Sequence, residues 1–245
     1  MEGTVTAAEL RSRAWRALSA PGAYGTFVLG SIALSAALFA AALLFAGGFV
    51  GGSAGLAMAC GIEQGSPALY VLSFAGSAAL VFGILYLVSF SWWSQTAMGM
   101  AAMRGGLRFA HAFSGWGNGW RMASLLLWQS TFITLWLLLL VVPGIRAAFS
   151  YALAPYLLID HPDWTPRQCI AESRRLMEGH RWRLFCLGFS FIGWFLLVGV
   201  VSLVPVVGNF AQFFFTPYIQ TSFAAFYEDL LDRSDREGQG GGMGA

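Results

Sequence analysis

No charged residue occurs between Arg183 and Glu228, a run of 44 positions (184–227). As one helix, at about 1.5 Å of rise per residue, the run would extend about 66 Å, roughly twice the hydrocarbon thickness of a bilayer. Pro205 and the pair Gly208-Asn209 interrupt it near the middle. The run therefore reads as two membrane spans, Leu184 to Val204 and Val207 to Tyr227, with Pro217 expected to kink the second.

Two more charge-free runs lie between Arg16 and Glu63 and between Glu63 and Arg104. Their apolar parts, Tyr24 to Phe49 and Ala68 to Trp93, are each long enough to cross hydrocarbon, where a mid-depth charge costs at least about 2.5–3.5 kcal/mol. Gly47, Gly48, Gly51 and Gly52 are expected to end the first span in a loop. Ala75, Ala79 and Gly83 share a face of the second and could seat a neighbouring helix. The stretch from Gln95 to Arg121 is polar and glycine-rich, and reads as a short interfacial helix followed by a turn. A third span runs from Met122 to Val142 and ends at Pro143-Gly144. A shorter fourth segment, Ile145 to Asp160, either crosses with snorkelled ends or is tilted or re-entrant. Thr165, Pro166 and Gln168 have the pattern of a capping box followed by a helix to about Glu178. Its mixed face, with Ile170, Ala171, Arg174 and Met177, suits a helix lying on a membrane surface, while Arg167, Arg175 and Glu178 point elsewhere.

Composition excludes a soluble reading. Hydrophobic residues make up 57% of the chain and charged ones 11%, against about 45–50% and about 25% in soluble domains. Twelve acids and fourteen bases are too few to cover a protein of this size with water-facing groups. The net charge of +2 gives no pull on nucleic acid, and none is expected as a partner. All the bases are arginine. A codon-biased genome explains this, and so does selective use of planar guanidinium groups on lipid phosphate. Cys60, Cys169 and Cys186 are too scattered for a disulfide framework or a zinc site, so no metal or other cofactor is expected.

Six spans place both ends on one side of the membrane. Thirteen of the fourteen arginines then fall on that side, and Arg146 falls on the other. The positive-inside bias makes the arginine-rich side cytoplasmic. The apolar stretch after Arg16 is longer than the roughly 7–15 residues of a signal h-region, so it reads as a span and not as a leader.

Several stretches have a familiar order and spacing: FSGW (Phe113–Trp116), PGIRAAFSYALAPYLLIDHP (Pro143–Pro162), IAESRRLMEGHRWRLF (Ile170–Phe185) followed by SFIGW (Ser190–Trp194), and PYIQTSFAAFY (Pro217–Tyr227). Through them the chain resembles the bacterial multi-pass membrane family grouped as domain of unknown function 975. That family is distantly similar to the membrane domain accompanying some glycerophosphodiester phosphodiesterases. The resemblance covers residues 110 to 230 best. It implies a fold, a bacterial inner-membrane location and a weak link to lipids, and no reaction. The absence of lysine departs from the lysine-rich loops usual in such families.

Candidate sites are few. Asp160-His161-Pro162-Asp163 could hold a metal or act as an acid/base pair. It also reads as a solvated turn, which is favoured because no second ligand lies at suitable spacing. No catalytic fingerprint is present. Arg146, Arg167, Arg174, Arg175, Arg181 and Arg183 are candidates for binding an anion or a lipid headgroup, weighed against snorkelling and topology determination. Gln129, Thr131, Thr134, Gln212 and Gln220 are uncharged polar residues in or near spans. Gln129, Thr134, Gln212 and Gln220 are the candidates for a polar pathway, weighed against ordinary interhelical hydrogen bonds.

The expected fold is all-α: a polytopic transmembrane helix bundle of six spans, with five as the alternative, plus an interfacial amphipathic helix. Residues 1–22 form a cytoplasmic N-terminal segment, 23–231 the membrane domain and 232–245 a disordered cytoplasmic tail. The expected role is a non-catalytic scaffold or accessory protein of the cell envelope, with membrane lipids and other membrane proteins as partners. The alternative is a transporter or permease component for a small or lipid-like solute. A broken helix lining a wet cavity at 145–160 would favour that alternative.

Overall fold

The computed structural model describes residues 6–59, 67–201, 203 and 205–241. They are helical apart from short connections, and no strand occurs among them. Cys60 lies outside the described residues.

The first described helix, α1 (Ala7–Leu18), is amphipathic and lies within the expected N-terminal segment. Thr6 caps it by accepting a hydrogen bond from the Glu9 amide at 3.3 Å. Leu10, Ala14 and Leu18 form its buried stripe, at the i, i+4, i+8 spacing of one helix face.

Two long helices follow. α2 (Ala23–Ala59) carries on through the glycines expected to end it, and α3 (Pro67–Met103) runs ten residues past Trp93. In α2 the residues between the glycines are themselves apolar. A helix that has to satisfy its own backbone in an apolar setting tolerates glycine there. In α3 the extension is held by packing, since Ser94, Thr96, Ala97, Met98, Met100 and Ala102 are buried. The expected short interfacial helix is a 3-10 turn, Phe109–Phe113. The glycine-rich turn after it brings the chain close to α3. A Cβ on Gly115 would lie 2.9 Å from both the ring and the carbonyl of Phe90, and Gly117 has φ +89°.

α4 (Gly119–Leu139) ends three residues early. Leu140 is extended, and α5 (Val141–Ser150) folds straight back, so Pro143 sits in the first turn of α5, where a missing N–H is harmless. α5 and α6 (Ala154–Asp160) make up the fourth segment, interrupted at Tyr151–Leu153. α7 (Pro166–Leu176) starts at the expected capping box: the Thr165 amide donates to Gln168 Oε1 at 2.7 Å and the Gln168 amide to Thr165 Oγ1 at 3.4 Å. The fifth span is two pieces, α8 (Arg181–Phe189) and α9 (Ile192–Val201). α10 (Pro205–Gly241) covers the sixth and continues helically through most of the tail expected to be disordered. Its extension is supported by Arg233, which donates to Asp229 one turn earlier at 3.1 Å, a pairing that stabilises a helix locally.

Among the described residues, five helical stretches are long and apolar enough to cross a membrane: 23–48, 73–103, 119–139, 141–160 and 181–201. The sixth expected span lies in α10, where the side chains before Gln212 are outside the description. The molecule has two zones. At one end α1, the end of α3, the start of α4, α5 to α8 and the end of α10 enclose a core containing Leu10, Met122, Leu157, Met177, Phe191 and Tyr227. At the other, residues such as Leu44 (78% exposed), Phe74 (76%) and Leu138 (85%) face outward. Exposed apolar surface on that scale needs an apolar neighbour. On the face expected to seat a neighbouring helix, Ala75 and Ala79 are exposed and Gly83 is half-buried.

Candidate functional site

The break between α5 and α6 lies in the packed zone, and a helix interruption there leaves backbone groups to satisfy. Ser173 on α7, which is fully buried, satisfies two of them: its Oγ accepts from the Leu153 amide at 3.2 Å and donates to the Ser150 carbonyl at 2.8 Å. Gln129 on α4 donates from Nε2 to the Tyr151 carbonyl at 3.2 Å. Arg181 Nε donates to Ser150 Oγ at 2.8 Å, and that hydroxyl donates back to the Arg146 carbonyl. Gln129 Oε1 is buried without a hydrogen-bond partner among the described residues. Three helices thus close the break with side chains, and Ser150, Leu153 and Ala154 are buried.

Two ion-pair networks lie in the same zone. Arg104, just past the end of α3, donates two hydrogen bonds to Asp160, each at 2.8 Å, and a third from Nε to Glu228 at 2.8 Å. The Tyr227 hydroxyl donates to Asp160 at 2.9 Å. The hydrogen bonds to Asp160 push the Arg104 pKa above its ordinary value. Asp229, nearly buried, accepts from Arg183 at 2.7 Å and from Arg233 at 3.1 Å, with Arg13 at 3.7 Å. These pairs tie α1, α3, α6, α8 and α10 together. Little in the chain's order marks them, although Asp160, Glu228 and Asp229 are among only twelve acids and directly border apolar runs.

A groove opens between α4 and α7, enclosing about 570 Å³. Trp128, Phe132 and Trp136 line its α4 side, with Tyr151 from the break. Arg167, Ile170, Ala171 and Arg174 line its α7 side. Arg167 therefore joins Arg174, contrary to its expected separate orientation. Seven residues are nearly two full turns, so positions 167 and 174 fall on one face. The Arg167 guanidinium stands 3.9 Å from the centre of the Trp128 ring.

The remaining candidates disperse. Arg175 is paired with Glu172, with its closest contact at 2.5 Å. Arg181 closes the break and Arg183 holds Asp229. Arg146 is exposed on α5 and does not line the groove. Thr134 is exposed on α4, and the Thr131 hydroxyl bonds back to the Leu127 carbonyl. Gln212 is exposed on α10, and Gln220 is half-buried where the backbone approaches Gly99 of α3. Gln129 serves the break, so these four glutamine and threonine candidates do not gather in one file. Asp160 and His161 do not converge either. Asp160 is taken up by Arg104 and Tyr227, while His161 stacks on Trp164 with ring centres 4.0 Å apart. Among the described residues no three His, Cys, Asp or Glu side chains are grouped to hold a metal ion. Burial raises the pKa of the Cys169 thiol on α7.

No curated protein and no solved structure matches the chain. The family described as "Protein of unknown function (DUF975)" matches residues 70–234, a stretch that starts earlier than the resemblance read from residue 110 and includes most of α3. It takes in both walls of the groove, the α5–α6 break and the acids of both ion-pair networks. An all-α bundle with five helices apolar enough to cross a membrane, matched over two thirds of its length, fits a membrane protein of unassigned activity, and the chain belongs to the DUF975 family.

Proposed function

We propose that this protein is a multi-pass component of the bacterial cytoplasmic membrane, with both termini on the cytoplasmic side, acting as a non-catalytic scaffold or accessory protein of the cell envelope. One observation carries this reading. The interrupted helix at 150–153 is sealed by Ser173, Gln129 and Arg181. In a transporter, interrupted backbone at membrane depth lines a wet cavity and offers its free groups to a solute. Here those groups are spent within the protein. What remains available to other molecules is the outer surface: apolar helices at one end and arginines at the other.

The test is access to the break. In a cysteine-free background, Ser150→Cys introduces a near-isosteric thiol. It is expected to resist a membrane-impermeant, charged thiosulfonate applied from either side, while Gly106→Cys, on an exposed turn, is modified readily. Rapid modification at position 150 would overturn the scaffold reading in favour of transport. The orientation is tested separately, by reporters fused to either end: each is expected to be active only in the cytoplasm.

A further inference from the structure

We infer that the groove between α4 and α7 seats one anionic glycerophospholipid from the cytoplasmic-side leaflet, with its phosphate at Arg167 and Arg174 and an acyl chain along the aromatic wall. This rests on the membrane placement proposed above and is independent of the scaffold role.

Charge complementarity identifies the occupant. Among the described residues no acid lines the groove. Neither Arg167 nor Arg174 forms an ion pair with a described residue, and Glu172, the acid between them in sequence, is held by Arg175. By contrast Arg13, Arg104, Arg183 and Arg233 all face carboxylates. The groove therefore holds two positive charges that no described carboxylate pairs with. Guanidinium is the side-chain group best matched to phosphate oxygens, through paired N–H donors in one plane. Trp128 covers the face of Arg167, which leaves the N–H edge for an anion.

The opposite wall matches the rest of a lipid. Trp128, Phe132 and Trp136 follow one another at four-residue intervals, so they form a ridge about 12 Å long down α4. Trp128 and Phe132 are stacked with centres 5.7 Å apart. The ridge starts beside the arginines and leads along α4 toward the exposed apolar tip at Leu138–Val142. A free inorganic anion would use only the first part of this surface. A lipid uses all of it, with its headgroup at the aromatic belt depth where tryptophan is favoured.

The experiment uses full-length protein in non-ionic detergent, titrated calorimetrically with dihexanoyl phosphatidylglycerol, dihexanoyl phosphatidylcholine and inorganic phosphate. Saturable, one-to-one binding of the phosphatidylglycerol is expected, with clearly weaker binding of the phosphatidylcholine. Arg167→Gln should weaken it about fivefold, and Arg167→Gln with Arg174→Gln about thirtyfold, from the usual worth of a basic group near an anionic lipid. Arg175→Gln should leave it unchanged. Equal binding of both lipids, an equal loss with Arg175→Gln, or displacement by inorganic phosphate at matching concentration would overturn the proposal; the last would make this a free-anion site. Should the double variant fail to fold, the comparison of ligands on the unaltered protein decides alone. Labelling at position 150 tests the scaffold role and leaves this result untouched.

Discussion

Ser173→Ala removes one oxygen from the middle of the packed zone and nothing else. That oxygen serves the Leu153 amide and the Ser150 carbonyl, both in a chain segment buried away from water. Leaving a buried backbone group unsatisfied costs about 1–3 kcal/mol, so two give about 2–6 kcal/mol. The upper end is unrealistic, because the Leu153 amide can turn toward the Ser150 carbonyl three residues back in a 3-10 bond. With that partial repair the expected loss is about 2–3 kcal/mol. The assay is equilibrium unfolding in mixed micelles with increasing dodecyl sulfate, followed by circular dichroism. Ser12→Ala is the reference: its hydroxyl bonds the Glu9 carbonyl on the exposed side of α1, so its loss should stay within about 0.5 kcal/mol. If the two variants unfold alike, the break is not held by Ser173, and the sealing on which the proposed function rests fails with it.

Three further outcomes are expected. Asp229→Ala should destabilise by about 3–5 kcal/mol in the same titration, because it removes the buried carboxylate that Arg183 and Arg233 share; an unchanged midpoint would show that Asp229 does not hold the helices together. Gly115→Ala should cost about 1–3 kcal/mol through its clash with Phe90, whereas Gly106→Ala, with open space around it, should be neutral; equal effects would refute the close approach. Cys169 should resist a polar maleimide near neutral pH in the folded protein and react once the chain is unfolded, as read by mass spectrometry of its peptide. A raised pKa leaves less thiolate at that pH, and burial blocks access; labelling of the folded protein at the rate of a free thiol would contradict both.

Particular residues show where sequence reading reached and where it stopped. The capping box at Thr165 and Gln168 was legible because its partners are three residues apart. The same kind of signal, Thr6 followed by Glu9, marks the start of α1. α3 ends beyond its expected span. Hydropathy reports where apolar surface ends, whereas a helix ends where its backbone loses partners, and packing carries α3 past Trp93. In the candidate site, the seven-residue spacing of Arg167 and Arg174 was visible, but the aromatic ridge facing them lies on a helix some forty residues earlier.

Charge-free runs by themselves determined that the chain is helical and built largely of segments suited to hydrocarbon, because the cost of immersing charges and bare backbone depends on composition and length alone. Only the tertiary structure decided that the fourth segment is broken and closed, that two arginines out of fourteen share a groove, and that Asp160 and Asp229 are consumed in ion pairs. Those outcomes depend on which side chains meet across distant parts of the chain, as when Ser173 reaches Ser150 and Leu153 from another helix. A hydrogen bond or an ion pair acts over a few ångströms, and position along the chain does not fix which groups come that close.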